Sequence, residues 1–262
     1  MIVPTLVRLL AVASLANAYS LSTYPKLKAV YDRYNKANSE CSALLQDGFY
    51  DAGQTKDGHY YRYCGDLGGG LKAIFLHRNG GGLNDMDIDC DGAQACPDDP
   101  TFQGQTSFKT AYGGYQGVQE LSRAAGAYVS DLNATRHPYV VFGNEGSKPT
   151  FNPKDYGMVP LSVMAVVCNG QVHYGVWGDT NGGTSTGEAS LAMGNLCFPS
   201  EGLGGNNGHD ANDVLYIGFR NETAYPGYGG KNHAKWKGTT KEFEDSIRGL
   251  GDSLVKGLLG GL

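Results

Sequence analysis

The clearest alternation of apolar and polar positions lies on either side of Asn169-Gly170, where Val163, Ala165 and Val167 are followed by Val172, Tyr174 and Val176. Period-two spacing of β-branched, aromatic and small residues predicts two strands. Asn-Gly between them predicts a type I′ hairpin, because that turn needs positive φ at both central residues. The second strand runs into Gly178-Asp179-Thr180 and then a Gly, Ser and Thr loop that ends on Glu188, so a carboxyl group stands at each end. Further strands are predicted at Tyr60–Tyr63, Ala73–His77, His137–Phe142 and Val214–Phe219, with a glycine-rich break at Gly65–Gly70.

Helical spacing appears three times. Pro25 suits a first helical turn, and Leu27, Val30, Tyr31 and Tyr34 follow at i, i+3, i+4 and i+7. Val118, Leu121, Ala125, Tyr128 and Leu132 predict a second helix over 118–132, with Gly126 as its weak point. Thr239-x-x-Glu242 is a capping box ahead of Phe243, Ile247, Leu250 and Leu254, which share one face of a helix docked on the core; Gly257–Leu262 should fray. The acidic, cysteine-bearing run Leu83–Pro100 reads as a disulfide-pinned loop. The pattern as a whole predicts a mainly β fold with peripheral helices, and no stretch between the motifs has the composition of a linker.

The N-terminal residues change the picture of what is mature protein. Arg8, the apolar run Leu9–Leu15 and Ala16-Asn17-Ala18 form a signal peptide over 1–18, so residues 19–262 are expected to be one secreted domain. The apolar run is too short to span a bilayer. Six cysteines in a secreted chain imply disulfides before a metal site or a thiol nucleophile. Fifteen full pairings are possible, and spacing favours Cys41 with Cys64, Cys90 with Cys96, and Cys168 with Cys197. Sequons at Asn133 and Asn221 agree with secretion. Without the signal peptide, 20 basic side chains face 26 acidic ones. That balance repels nucleic acid and attracts a polycation.

Two carboxyl groups at the lip of a hairpin suit glycoside hydrolysis, in which one protonates the leaving oxygen and the other activates water or attacks the sugar. The plain alternative is that both are solvated turn residues. Trp177, two residues before Asp179, should share its face, and a Trp beside an acid suits a sugar ring, although Trp in a strand is more often core. Asp87-x-Asp89-x-Asp91-Gly92, with Asp98 at the twelfth position, resembles the start of a calcium loop. The same acids could instead form a negative wall for ammonium groups or cap turns. His137 and His173 read as structural hydrogen-bonding residues, and His209 with Asp210, just after Gly202–Gly208, either line the cleft or, as is commoner, belong to a plain loop.

Several long motifs, YGVWGDTNGG followed by GEAS, MDIDCDG, HPYVVFGNEG, PLSVMAVVCNG and DVLYIGF, closely resemble the fungal chitosanases of glycoside hydrolase family 75, from about Leu27 to about Val255. The resemblance implies a central barrel-like sheet, for which a double-psi-type barrel is the nearest specific form. It also implies an endo-acting hydrolase of chitosan that works with inversion and whose essential acids fall on Asp179 and Glu188. On that reading Trp177, Asp85, Asp87 and Asp89 line the substrate site. No cofactor, resident metal, nucleic acid or membrane is expected as a partner, and the protein is expected to be a monomer. Two other classes fit: a non-catalytic secreted wall protein that binds chitosan, and a calcium-stabilised secreted structural domain with its metal at Asp87 to Asp91. Some family members have a longer loop between the two acids, so contacts from that loop do not carry over.

Overall fold

The computed structural model describes residues 19–51, 61–65, 67, 72–94, 96–99 and 104–260. The expected signal peptide lies outside them, as do Tyr60 and most of Gly65–Gly70. Among the described residues there are ten strands, β1 (Leu44–Asp51), β2 (Tyr61–Cys64), β3 (Ala73–Arg78), β4 (Asn84–Asp89), β5 (Tyr139–Asn144), β6 (Val163–Cys168), β7 (Gln171–Asn181), β8 (Ser185–Thr186), β9 (Glu188–Ser190) and β10 (His209–Phe219). The described residues also form four α-helices, α1 (Pro25–Tyr34), α2 (Val118–Ala124), α3 (Leu191–Cys197) and α4 (Thr240–Leu259). The chain is thus mainly β with peripheral helices, as its periodicity predicts. Among the described residues no helix is long and apolar enough to cross a membrane.

The strands form one mixed sheet in the order β4-β9-β5-β7-β6-β10-β3-β2-β1-β8. An additional, irregular pairing of β10 with β4 brings six strands, β4-β9-β5-β7-β6-β10, into a barrel-like ring, and β3-β2-β1-β8 extends from it. Two neighbours inside the ring are parallel, β5 with β7 and β4 with β9. The β6–β7 hairpin stands in the ring with every residue of β6 buried. Its turn is the expected one, since Asn169 (φ 46°) and Gly170 (φ 68°) both adopt positive φ.

The long helix α4 packs on β6 and β7. Its capping box forms as the sequence implies: Glu242 N donates to Thr239 Oγ1 at 3.3 Å, and Thr239 N donates to Glu242 Oε2 at 2.9 Å. Glu244 is buried and accepts from the main chain of Tyr174 (3.2 Å) while bonding His173 Nδ1 (2.9 Å). His137 is likewise structural, with Nδ1 accepting from Asn133 N and Nε2 bonded to Trp236 O, each at 2.8 Å. The disulfides are Cys41–Cys64, Cys90–Cys96 and Cys168–Cys197. The third ties the hairpin to the end of α3.

Several elements differ from the periodicity. The helix predicted over 118–132 stops at Ala124, because Gly126 takes φ 69° and ends the spiral. The run Leu83–Pro100 is a loop only in its second half; Asn84–Asp89 is a strand, whose partners β9 and β10 are far away in sequence. The strand β1 and the helix α3 carry no clear apolar period and were not predicted. The C-terminal helix continues to Leu259 before Gly260 caps it in the left-handed region, so Gly257–Leu259 do not fray.

Candidate active site

The register of the sheet brings the two hairpin-derived acids together. Val141 at the centre of β5 pairs with Asp179 of β7 on one side and with Glu188 of β9 on the other. Asp87 of β4 pairs with Glu188 in turn. Residues in register on adjacent strands share a face, so Asp179, Glu188 and Asp87 lie on one rung. Strands are about 4.8 Å apart, which sets the Cα atoms of Asp179 and Glu188 roughly 10 Å apart across Val141.

Each acid is held by its own local structure. Asp179 is buried (6% exposed). Its Oδ1 accepts from Ser107 Oγ (2.5 Å), Ser107 N (3.0 Å) and Thr180 N (2.8 Å). These three donors leave Oδ2 as the oxygen free to meet a water. Glu188 opens β9 and is partly exposed in a cavity of about 400 Å³ lined by Tyr50, Ser147, Asn181 and residues 182–185. Asn181 Nδ2 donates to its Oε2. The preceding residue must be glycine: Gly187 has φ 92°, and a Cβ there would lie 2.4 Å from Asp85 Oδ1.

Burial raises both carboxyls above their ordinary range. Asp179 reaches about 6, burial outweighing the pull of its Ser107 and Thr180 donors. Glu188 reaches about 7; burial is the largest cause, the Asn181 bond opposes it, and the facing Asp87, Asp179 and Asp91 add to it. The pair is therefore graded: the acid with three donors ionises first, and the acid facing other acids keeps its proton longer.

The remaining predicted residues fall around this pair. Asp89 lies with Asp91 and Asp179, one carboxylate oxygen of each within 4.8 Å of the others. Burial and the neighbouring Asp179 push Asp89 well up. Asp85 is buried with Oδ1 unpartnered, and burial followed by Asp87 and Asp51 drives it to about 8. The calcium-loop pattern does not survive as a loop, because Asp87 and Asp89 are strand residues and Asp98 is turned away to accept from Gly205 N at 3.1 Å. The carboxylates of Asp89, Asp91 and Asp179 could still gather a cation.

Trp177 corrects the expectation of a shared face. Val140 pairs with Trp177 and Val141 with Asp179, so Gly178 is the extra residue of a β-bulge and the two side chains take rungs of opposite face. Only glycine fits the bulge, since a Cβ would lie 2.5 Å from Leu132 Cδ1 and 2.7 Å from Tyr139 Cβ. Trp177 is 1% exposed, packs edge-on to Phe108, and donates Nε1–H to the main-chain oxygen of Asp179 at 2.9 Å. It braces the acid from behind and forms the floor of a second cavity of about 260 Å³ that also includes Phe108, Phe151 and Lys154. His209 stacks on Phe198 and bonds Glu201 and Asp213, apart from the pair.

Sequence reasoning missed Ser107, Asn181 and Asp51. Ser107 stands 72 positions from the acid it holds, and nothing in its neighbours signals that contact. Asn181 was within view, one residue into the loop after Thr180, but an Asn in a glycine-rich loop ordinarily serves the turn.

A family model for the fungal chitosanases of glycosyl hydrolase group 75 matches residues 86–257. The chain is 49% identical over 257 residues to endo-chitosanase B of Aspergillus oryzae (strain ATCC 42149 / RIB 40), covering 95% of this chain and 97% of that one. It is 51% identical over 248 residues to an endo-chitosanase of Aspergillus fumigatus, covering 93% of each. A more distant match, 36% over 182 residues, is to endo-chitosanase C of Aspergillus oryzae, and covers 67% of this chain and 39% of that protein.

Proposed function

As the chain belongs to the fungal chitosanases of glycosyl hydrolase group 75, we propose that it hydrolyses β-1,4 glucosaminidic bonds within chitosan, with Glu188 as general acid and Asp179 as general base. The observation that carries this reading is the rung on which both acids flank Val141. Two strand spacings leave room for carboxyl groups roughly 6.5 to 9.5 Å apart, the separation that admits a water and gives inversion.

In the reaction Glu188 delivers its proton to the glycosidic oxygen as the bond to the anomeric carbon breaks. Asp179 Oδ2 takes a proton from a water that attacks the opposite ring face, so the oxygen gains a proton on one side as water loses one on the other. The leaving chain departs as a free hydroxyl and the new reducing end is the α anomer. The graded proton affinities suit these roles, since between about pH 6 and 7 Asp179 is ionised while Glu188 still holds its proton. Asp87 and Asp89, partly exposed on β4, receive glucosamine ammonium groups, whose positive charge favours their ionised forms, while Asp85, buried and holding its proton, stands behind them; Trp177 serves the site by bracing Asp179.

The same reading has residues 1–18 as a signal peptide and residues 19–262 as one secreted, monomeric catalytic domain that uses no cofactor and binds neither nucleic acid nor membrane. Three disulfides support an oxidising compartment. The test is Asp179→Asn and Glu188→Gln, each near-isosteric. Each should lower kcat by roughly two to four orders of magnitude while chitosan binding persists, and NMR of fresh products from the wild type should show the α anomer first. A variant that kept a tenth of the activity would remove that residue from the scheme. A protein that only binds chitosan would release no reducing ends at all.

A further inference from the structure

The loop between the two acids is anchored by one run of hydrogen bonds that starts in the core. Tyr63, fully buried on β2, accepts from Gly143 N at 3.0 Å and donates its hydroxyl to Asn144 Oδ1 at 2.8 Å. Asn144, buried at the end of β5, donates from Nδ2 to two loop carbonyls, Gly183 O at 3.0 Å and Ser185 O at 2.7 Å. Gly183 then donates its N–H to Asn181 Oδ1 at 2.7 Å. That leaves the Asn181 amide nitrogen facing Glu188 Oε2, to which it donates. Both amides have an oxygen claimed by a donor and a nitrogen claimed by acceptors; turned over, Asn144 would set its oxygen against two loop carbonyls and Asn181 its NH2 against the Gly183 N–H.

We propose that Asn181 is a positioning residue for Glu188, its amide oriented by Gly183 and, through the loop, by Asn144 and Tyr63, so that it fixes the carboxyl in the cleft and sets the pH at which the proton is lost. The inference rests on Glu188 being the general acid. Among the described residues the titratable groups that face Glu188 are Asp85, Asp87, Asp89 and Asp91 from β4 and its continuation, Asp179 from β7, Tyr63 from β2, Tyr216 from β10, and Tyr50 from β1, which lines the same cavity. None is a cation. The acids and burial all favour the protonated form, and the Asn181 amide is the hydrogen-bond donor that opposes them by stabilising the carboxylate. Without it Glu188 would hold its proton to higher pH and, as a weaker acid, release it less readily.

Two variants separate this role from a structural one. Asn181→Ala removes the donor, while Asn144 still holds Gly183 and Ser185. Asn181→Asp keeps an acceptor for Gly183 N and sets a like charge beside Glu188. In pH profiles of kcat on a soluble chitosan oligomer, the alkaline limb should move up by about one unit in Asn181→Ala and further in Asn181→Asp. Titration of the substrate is common to all three proteins and drops out of the comparison. A lower kcat with the limb where the wild type has it, or a limb moved down, overturns the inference. Glu188→Gln measured alongside tells the two levels apart: if it is inactive, an unmoved limb refutes the role of Asn181 alone, whereas an active Glu188→Gln refutes the general-acid reading and this inference with it.

Discussion

Asp85 offers the most quantitative test of how the acidic rung is built. It is 6% exposed, its Oδ1 has no partner, and it sits beside Asp87, Asp51 and Glu188. Burial moves its pKa from 3.8 to about 8. Because the folded value lies above the unfolded one, the stability it contributes is complete below pH 4 and is lost as pH rises through 8. At about 1.4 kcal/mol per unit the loss between pH 4 and pH 8 is on the order of 5 kcal/mol, an upper figure because water and side chains relax around a buried charge. Asn mimics the protonated acid, so Asp85→Asn should change little at pH 4 and stabilise at pH 8. A domain of this size moves in Tm by about 2 to 4 °C per kcal/mol. Thermal melts at pH 4, 6 and 8 should therefore show the variant pulling ahead of the wild type by roughly 10 °C at the highest pH. Curves that stay parallel across the range would mean that Asp85 titrates as an ordinary surface acid and that the burial argument fails.

Two further outcomes test other links. The Cys168–Cys197 bridge closes a span of 29 residues between the hairpin and the end of α3, so Cys168→Ala with Cys197→Ala should cost about 3 to 4 kcal/mol in the chain-entropy account; denaturant titration checks it, and a loss under 1 kcal/mol would show that the hairpin is held without the bridge. Asp87 and Asp89 should make KM for chitosan rise as sodium chloride goes from about 50 to about 500 mM, since salt screens these partly exposed charges, while kcat changes little; a KM indifferent to salt would leave recognition to neutral contacts.

Local patterns determined much of this protein. Period-two spacing with Asn169-Gly170 specified the central hairpin, Thr239 and Glu242 specified the start of α4, and Pro25 with its apolar partners specified α1. All three depend on neighbours within a few residues, and backbone sterics and capping chemistry act at that range. The three cysteine pairs also followed the sequence, as each joins residues no more than 29 positions apart. Long motifs carried the family.

Tertiary structure decided what those patterns do not contain. That Val141 separates Asp179 from Glu188 depends on β5 lying between β7 and β9, a strand order set by packing the whole sheet. The acidic run Asp85 to Asp89 became a strand because β9 and β10, more than 90 residues later, supply its partners. Trp177 left the face of Asp179 because a bulge at Gly178 shifts the register by one residue, and period-two reasoning has no means to see an inserted residue. The proton affinities of the acids have the same origin. Nothing in the local sequence distinguishes Asp179 from Glu188; three donors reach one, two of them from a segment 72 residues away, and facing acids surround the other, so their order of ionisation exists only once the sheet has closed around them.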